Sequence, residues 1–270
     1  MGEMKRMLLG AVVLCAALGL RAERPYDLYL LVGQSNMSGR GHLTAENRIG
    51  DPRVFSFGRD ERFVPAVEPL HWEKKSCGAG LGMSFAIDMA GDDPAARIGL
   101  IPCAFGGSPV SSWQPGARHY TNAVRRAKLA MREGKLKGIL WHQGCSDATS
   151  RKSVDVYEQK LVRALGSLRH ELGADDVPIV LGELGEYLAK NKEKERVDKP
   201  EAEKLPRFRY WREINGLTYS AAKKLGNASV VSAKGLTPNS DILHFDTPSL
   251  REFGHRYAKA MKELQNRGAK

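Results

Sequence analysis

Short, continuous apolar runs alternate along this chain with longer stretches whose apolar residues recur every three or four positions. Residues 28–32, 97–104, 139–141, 177–181 and 229–233 form the runs. Each is short, bounded by glycine, proline or charge, and suited to a strand buried on both faces. Residues 83–89, 117–133, 154–172, 211–225 and 249–265 carry the helical period. Strand and helix in strict alternation predict an α/β domain with a parallel sheet. On 117–133, the residues Arg118, Arg125, Arg126, Lys128 and Arg132 read as a solvated face. Two segments break the alternation. Residues 39–75, punctuated by Gly41, Gly50, Pro52 and Pro65, read as irregular loop, and a loop that long beside a strand end shapes access to a site. Residues 189–206 are dense in Lys and Glu and poor in apolar anchors, which predicts an exposed insertion rather than a second domain.

The amino terminus stands apart from this pattern. Lys5 and Arg6 precede an apolar run over 7–20, and Ala22 supplies a small residue after it. That is the layout of a secretory signal, expected to be cut near Ala22, leaving one domain over 23–270 and a secreted or periplasmic protein. The run is short for a membrane span. The 270 residues carry a formal charge of +11, which suits an anionic glycan or cell surface, but no aromatic residues interleave a basic patch as in nucleic-acid binders. Beyond the signal the cysteines are Cys77, Cys103 and Cys145, an odd number that leaves at least one unpaired, with a Cys77–Cys145 bridge left open. None has zinc-ligand spacing, so no metal is expected. The glycines at 78, 80 and 82 resemble a dinucleotide fingerprint, but no strand precedes them, so no nucleotide cofactor is expected.

Four strand ends carry chemistry. Gly33-Gln34-Ser35-Asn36-Met37 follows the first strand and puts a serine between two amide side chains, where open α/β sheets place their ligands. Phe105-Gly106-Gly107-Ser108 follows the second strand. It is an ordinary turn or a loop whose glycine lets a backbone N–H approach a developing negative charge. Trp141-His142-Gln143-Gly144-Cys145-Ser146-Asp147 follows the third. Near the carboxyl terminus, Asp241 lies three residues before His244, a spacing that lets the carboxylate reach Nδ1–H and leaves Nε2 to face a serine.

Taken together and in this order, the four blocks resemble the SGNH (GDSL-like) hydrolases, in the branch of sialate O-acetylesterases and acetylxylan esterases of carbohydrate esterase family six. The resemblance covers residues 27–262. It implies a flavodoxin-like three-layer α/β/α sandwich with a five-stranded parallel sheet, and a carbohydrate O-acetylesterase that needs no cofactor. It implies Ser35 as nucleophile, His244 as base and Asp241 as its acid, with Ser35, Gly107 and the Gln143 side chain holding the oxyanion. Gln34, Asn36, Trp113 and His142 are candidates for substrate contact, although Trp113 could equally be a core aromatic and His142 reads better as a strand-end residue packed beside the site. The departure is Cys145, where relatives carry a glutamate that competes with the aspartate for the histidine. That departure keeps a catalytically impaired glycan-binding protein as an alternative, beside a lipid-directed esterase of the same superfamily.

Overall fold

The computed structural model describes residues 24–191 and 206–268. The expected signal over 1–22 and most of the charged insertion lie outside the described residues. All strands belong to one seven-stranded sheet: β1 (Tyr26–Gly33), β2 (Val54–Phe57), β3 (Phe63–Pro65), β4 (Ile98–Pro102), β5 (Gly134–His142), β6 (Ile179–Gly182) and β7 (Ala228–Val231). Their order is β3-β2-β4-β1-β5-β6-β7. β1, β4, β5, β6 and β7 occupy the five predicted runs, and their order, with the second beside the first and the rest following outward, is the doubly wound flavodoxin arrangement. β1 is central because it is apolar on both faces: Leu28, Leu30, Leu31 and Val32 have no exposed surface.

The sheet is larger than the expected five strands. Within residues 39–75, β2 joins β4 in parallel and β3 turns back antiparallel to β2, pairing Phe57 with Phe63 and Phe55 with Pro65. This hairpin also corrects the expectation for the basic helix. Of the arginines read as a solvated face, Arg126 is 4% exposed. Its guanidinium donates to the carbonyls of Phe57 and Gly58 at 2.6 and 3.1 Å, because the hairpin covers the helix where the sequence pattern suggested water.

Helices cover both faces. A one-turn helix, α1 (Ser35–Ser38), follows β1 directly, and α2 (Gly82–Ala90) packs on the closing helix of the chain. α3 (Arg118–Ala130), the short α4 (Arg151–Val154), α5 (Tyr157–Glu171) and α6 (Trp211–Leu225) follow, with α3 and α6 both packed on α5. The closing helix, α7 (Thr247–Gly268), packs on β6 and β7 as well as α2. No helix among the described residues is long and apolar enough to cross a membrane. Cys77, Cys103 and Cys145 are all free thiols, so the Cys77–Cys145 bridge is not formed.

Candidate active site

The crossover from β1 to its two parallel neighbours leaves a crevice at the carboxyl edge of the sheet, and the turn after β1 sits in it. Gly33 makes that turn possible. Its φ is +132°, and a β-carbon there would lie 2.2 Å from the His142 carbonyl oxygen, so only glycine lets the ends of β1 and β5 come this close. Gln34 then donates its N–H to the His142 carbonyl and starts α1, whose Met37 and Ser38 N–H groups return to the Gln34 carbonyl. Ser35 therefore occupies the first helical position, where the helix ladder offers its N–H no acceptor.

The structure brings Ser35, His244 and Asp241 into one hydrogen-bonded chain. The Ser35 hydroxyl lies 2.9 Å from His244 Nε2, and His244 Nδ1 lies 2.5 Å from Asp241 Oδ2. The other Asp241 oxygen accepts the backbone N–H groups of Leu243 and His244, both at 2.9 Å. Burial lowers the His244 pKa below its ordinary value, and the Asp241 carboxylate only partly offsets this. Burial pushes Asp241 upward, but the two backbone N–H groups and the imidazole outweigh it and hold the carboxyl below its usual range. A hydroxyl facing a neutral imidazole that a carboxylate orients is the arrangement that makes an alcohol nucleophilic.

Neighbouring turns complete the site. Gly107 has φ +79° and is exposed on the pocket wall, and among the described residues no acceptor takes its N–H. Its carbonyl accepts the Ser146 hydroxyl. Ser35, Gly107, His244, Cys145, Lys74 and Phe208 all line one pocket of about 420 Å³. Burial pushes the Cys145 thiol up to about 12, so it is uncharged, and Asp241 is the carboxylate on His244.

The other expected contacts fall elsewhere. Both amide hydrogens of Gln143 are taken, by the Ser108 carbonyl at 3.0 Å and by Asp147 Oδ2 at 2.5 Å, so the structure does not present Gln143 to an oxyanion in the pocket. His142 has no exposed surface. It donates Nε2–H to the Glu183 carbonyl and packs edge-on against Phe245 and Phe253. Burial lowers its pKa to about 4, which leaves it neutral. Trp113 is buried with its indole N–H on the Ser108 hydroxyl. Asn36 accepts the Phe245 N–H and donates to the Leu243 carbonyl, so it ties α1 to the histidine loop. Of the four candidates for substrate contact, only Gln34 lines the pocket, and its side-chain oxygen accepts the N–H groups of Gly144 and Ser146.

Two carboxylates that the sequence pattern did not single out brace these turns. Glu73 forms a buried ion pair with Arg40 and also accepts the Ser38 hydroxyl and the Gly106 N–H, joining the first turn to the second. Burial would raise its pKa, but Arg40 and these donors hold it low. Asp147 accepts the Val110 N–H as well as Gln143, joining the second turn to the third. No cluster of metal-ligating side chains occurs among the described residues.

A doubly wound sheet with serine, histidine and aspartate hydrogen-bonded in series at its switch point is an arrangement that hydrolases of the α/β class use. The chain belongs to the carbohydrate esterases described as sialic acid-specific acetylesterases, whose family model matches residues 25–263. It is 30% identical over 259 residues to a probable carbohydrate esterase of Arabidopsis thaliana, covering 87% of this chain and 90% of that one. The solved structure of an Arabidopsis thaliana protein superposes with TM-score 0.74 at 28% identity, over 89% of this chain and 99% of the other. The crystal structure of NanS shares the fold with TM-score 0.71 at 16% identity, over 90% and 99% of the two chains. So does a carbohydrate acetylesterase from Xanthomonas citri, with TM-score 0.63 at 17% identity, over 89% and 57%.

Proposed function

We propose that this protein is a secreted serine esterase that removes O-acetyl groups from a carbohydrate. The observation that carries the reading is the chain from Asp241 through His244 to the Ser35 hydroxyl on the wall of a pocket, in a member of a carbohydrate esterase family. Ser35 Oγ attacks the acetyl carbonyl while His244 Nε2 takes its proton, and Asp241 stabilises the imidazolium. The tetrahedral oxyanion accepts the N–H groups of Ser35 and Gly107, both without an acceptor among the described residues. Collapse passes the proton from His244 to the sugar oxygen and leaves acetyl-Ser35. Water, deprotonated by His244, then releases acetate. Every proton is handled within the site, so the reaction needs no cofactor.

The family description and the cationic pocket wall, where Lys74 and Arg207 stand, favour a sugar with a carboxylate, as sialic acid has. The test is acetate release from O-acetylated sialic acid, acetylated xylan and long-chain aryl esters. The acetylated sugars should turn over and the long-chain esters should not. No acetate from any of them, with a folded protein, would refute the reading. Secretion rests on the segment 1–22, and amino-terminal sequencing of exported protein should find a start near Glu23.

A further inference from the structure

A second cavity, larger than the one that holds Ser35, opens beside it. About 820 Å³ in volume, it lies on the other side of a thin wall. Glu73 and Phe105 line the large cavity, while the residues that follow each of them, Lys74 and Gly106, line the serine pocket. The wall is tied across by Glu73 Oε1 to the Gly106 N–H and by Lys74 Nζ to the Gly106 carbonyl.

The charges of this cavity do not balance. Arg125 pairs with Glu61 and Glu73 pairs with Arg40, so both carboxylates of the lining are already engaged. Arg59, Arg118 and Arg126 also line it, and among the described residues none of them has a carboxylate partner. Arg126 is the telling one. It is buried, its guanidinium lies 5.0 Å from the ring centres of both Phe57 and Trp72, and its Nε–H has no partner. A buried cation without a counter-ion is costly, and an anion bound in the cavity would supply one. His71 adds a second buried nitrogen, Nε2, with no partner, and burial lowers its pKa to about 3, so it stays neutral. Ring faces contribute to the rest of the lining: Trp72, with Arg59 over it at 5.7 Å, and Phe105 stacked on His119 at 4.4 Å, beside the polar side chains of Thr121 and Asn122. Flat apolar faces beside a few convergent donors are the composition of a ligand site, and this volume lies within the roughly 300–1,000 Å³ such sites occupy.

We propose that this cavity is a second carbohydrate subsite, which takes the anionic group of a sugar residue flanking the acetylated one. Guanidinium groups meet carboxylate or sulfate with paired N–H donors, and the ring faces stack against the sugar. The inference rests on the esterase reading for the role of the neighbouring pocket. It makes the substrate an acidic oligosaccharide rather than a single acetylated sugar.

Binding tests this without turnover. Calorimetric titration of the intact protein with trigalacturonate, a sulfated chondroitin disaccharide and xylotriose should show at least one acidic ligand bound and xylotriose not. The two acidic ligands distinguish carboxylate from sulfate. Affinity should fall with added salt, and Arg118→Ala or Arg59→Ala, both at exposed positions, should weaken it about tenfold, the loss of one charge-assisted contact. Failure of both acidic ligands to bind, or unchanged affinity in the two variants, would overturn the subsite. Either result leaves the esterase reading standing, while absence of acetate release would sink that reading and leave the binding result intact.

Discussion

The two loops that meet at Ser35 are held in different ways. The turn carrying the serine belongs to the core: all four residues of α1 are buried, and Gln34 and Asn36 are anchored to other segments. The loop carrying His244 lies at the surface. The Asp241 side chain is 46% exposed, Ile242 has φ +52°, and the loop keeps its shape through Asp241's own bonds to the backbone that follows it and through donors from Tyr187 and Asn191 to its carbonyls. Position is therefore inherited from the sheet for the proposed nucleophile and made by bonds to a surface loop for the proposed base. Beyond the Ser35–His244 hydrogen bond itself, Asn36 joins the two.

Substitutions on either side should separate these roles. Ser35→Ala should lower acetate release by about 10⁵-fold or more while circular dichroism stays unchanged, since loss of a nucleophile removes the covalent route. Retained turnover would refute the assignment. Asp241→Asn should cost about 10³-fold in kcat, less than the ~10⁴-fold seen for a buried triad acid, because water screens an exposed carboxylate. A loss below tenfold would show that local geometry alone holds the imidazole. Asn36→Ala should lower kcat about tenfold and stability by about 1–3 kcal/mol, because the Phe245 N–H loses its buried acceptor. A drop in stability without a kinetic effect would show that the two loops are not coupled through this amide. The pH profile gives a smaller effect. The base must be neutral, and burial lowers the His244 pKa, so activity should persist down to a half-maximum below the ordinary histidine value of ~6.5. A midpoint above that value would show that Asp241 outweighs burial. Cys145→Ser should change kcat least, since the thiol is uncharged and both His244 ring nitrogens are engaged by Ser35 and Asp241.

The same contrast explains what could be read from the sequence. The continuous apolar runs located β1, β4, β5, β6 and β7 because a strand buried on both faces leaves a one-dimensional signature. The β2–β3 hairpin left none: Val54–Phe57 is four residues long, and β3 is mostly solvent-facing. Missing it also hid the burial of Arg126, whose partners are carbonyls of that hairpin. Asp241 and His244 were legible because three residues of one loop fix their geometry. Gln143 was legible in its place after β5 but not in its direction, since a side-chain amide can turn to either wall and here Asp147, four residues on, draws it inward. Glu73 lay in a segment without period, so nothing local revealed that it braces two turns.

The central place of β1 also sets a schedule for the site. The first strand among the described residues can complete its ladders only with β4 and β5, and Asn36 of α1 can complete its bonds only with Leu243 and Phe245. Such distant pairings make for slow folding. During synthesis, a chain halted anywhere before His244 carries the proposed nucleophile without its proposed base. On the esterase reading, hydrolysis then begins only when the carboxyl-terminal stretch of the polypeptide has closed over the first strand, so reactivity is a late product of folding.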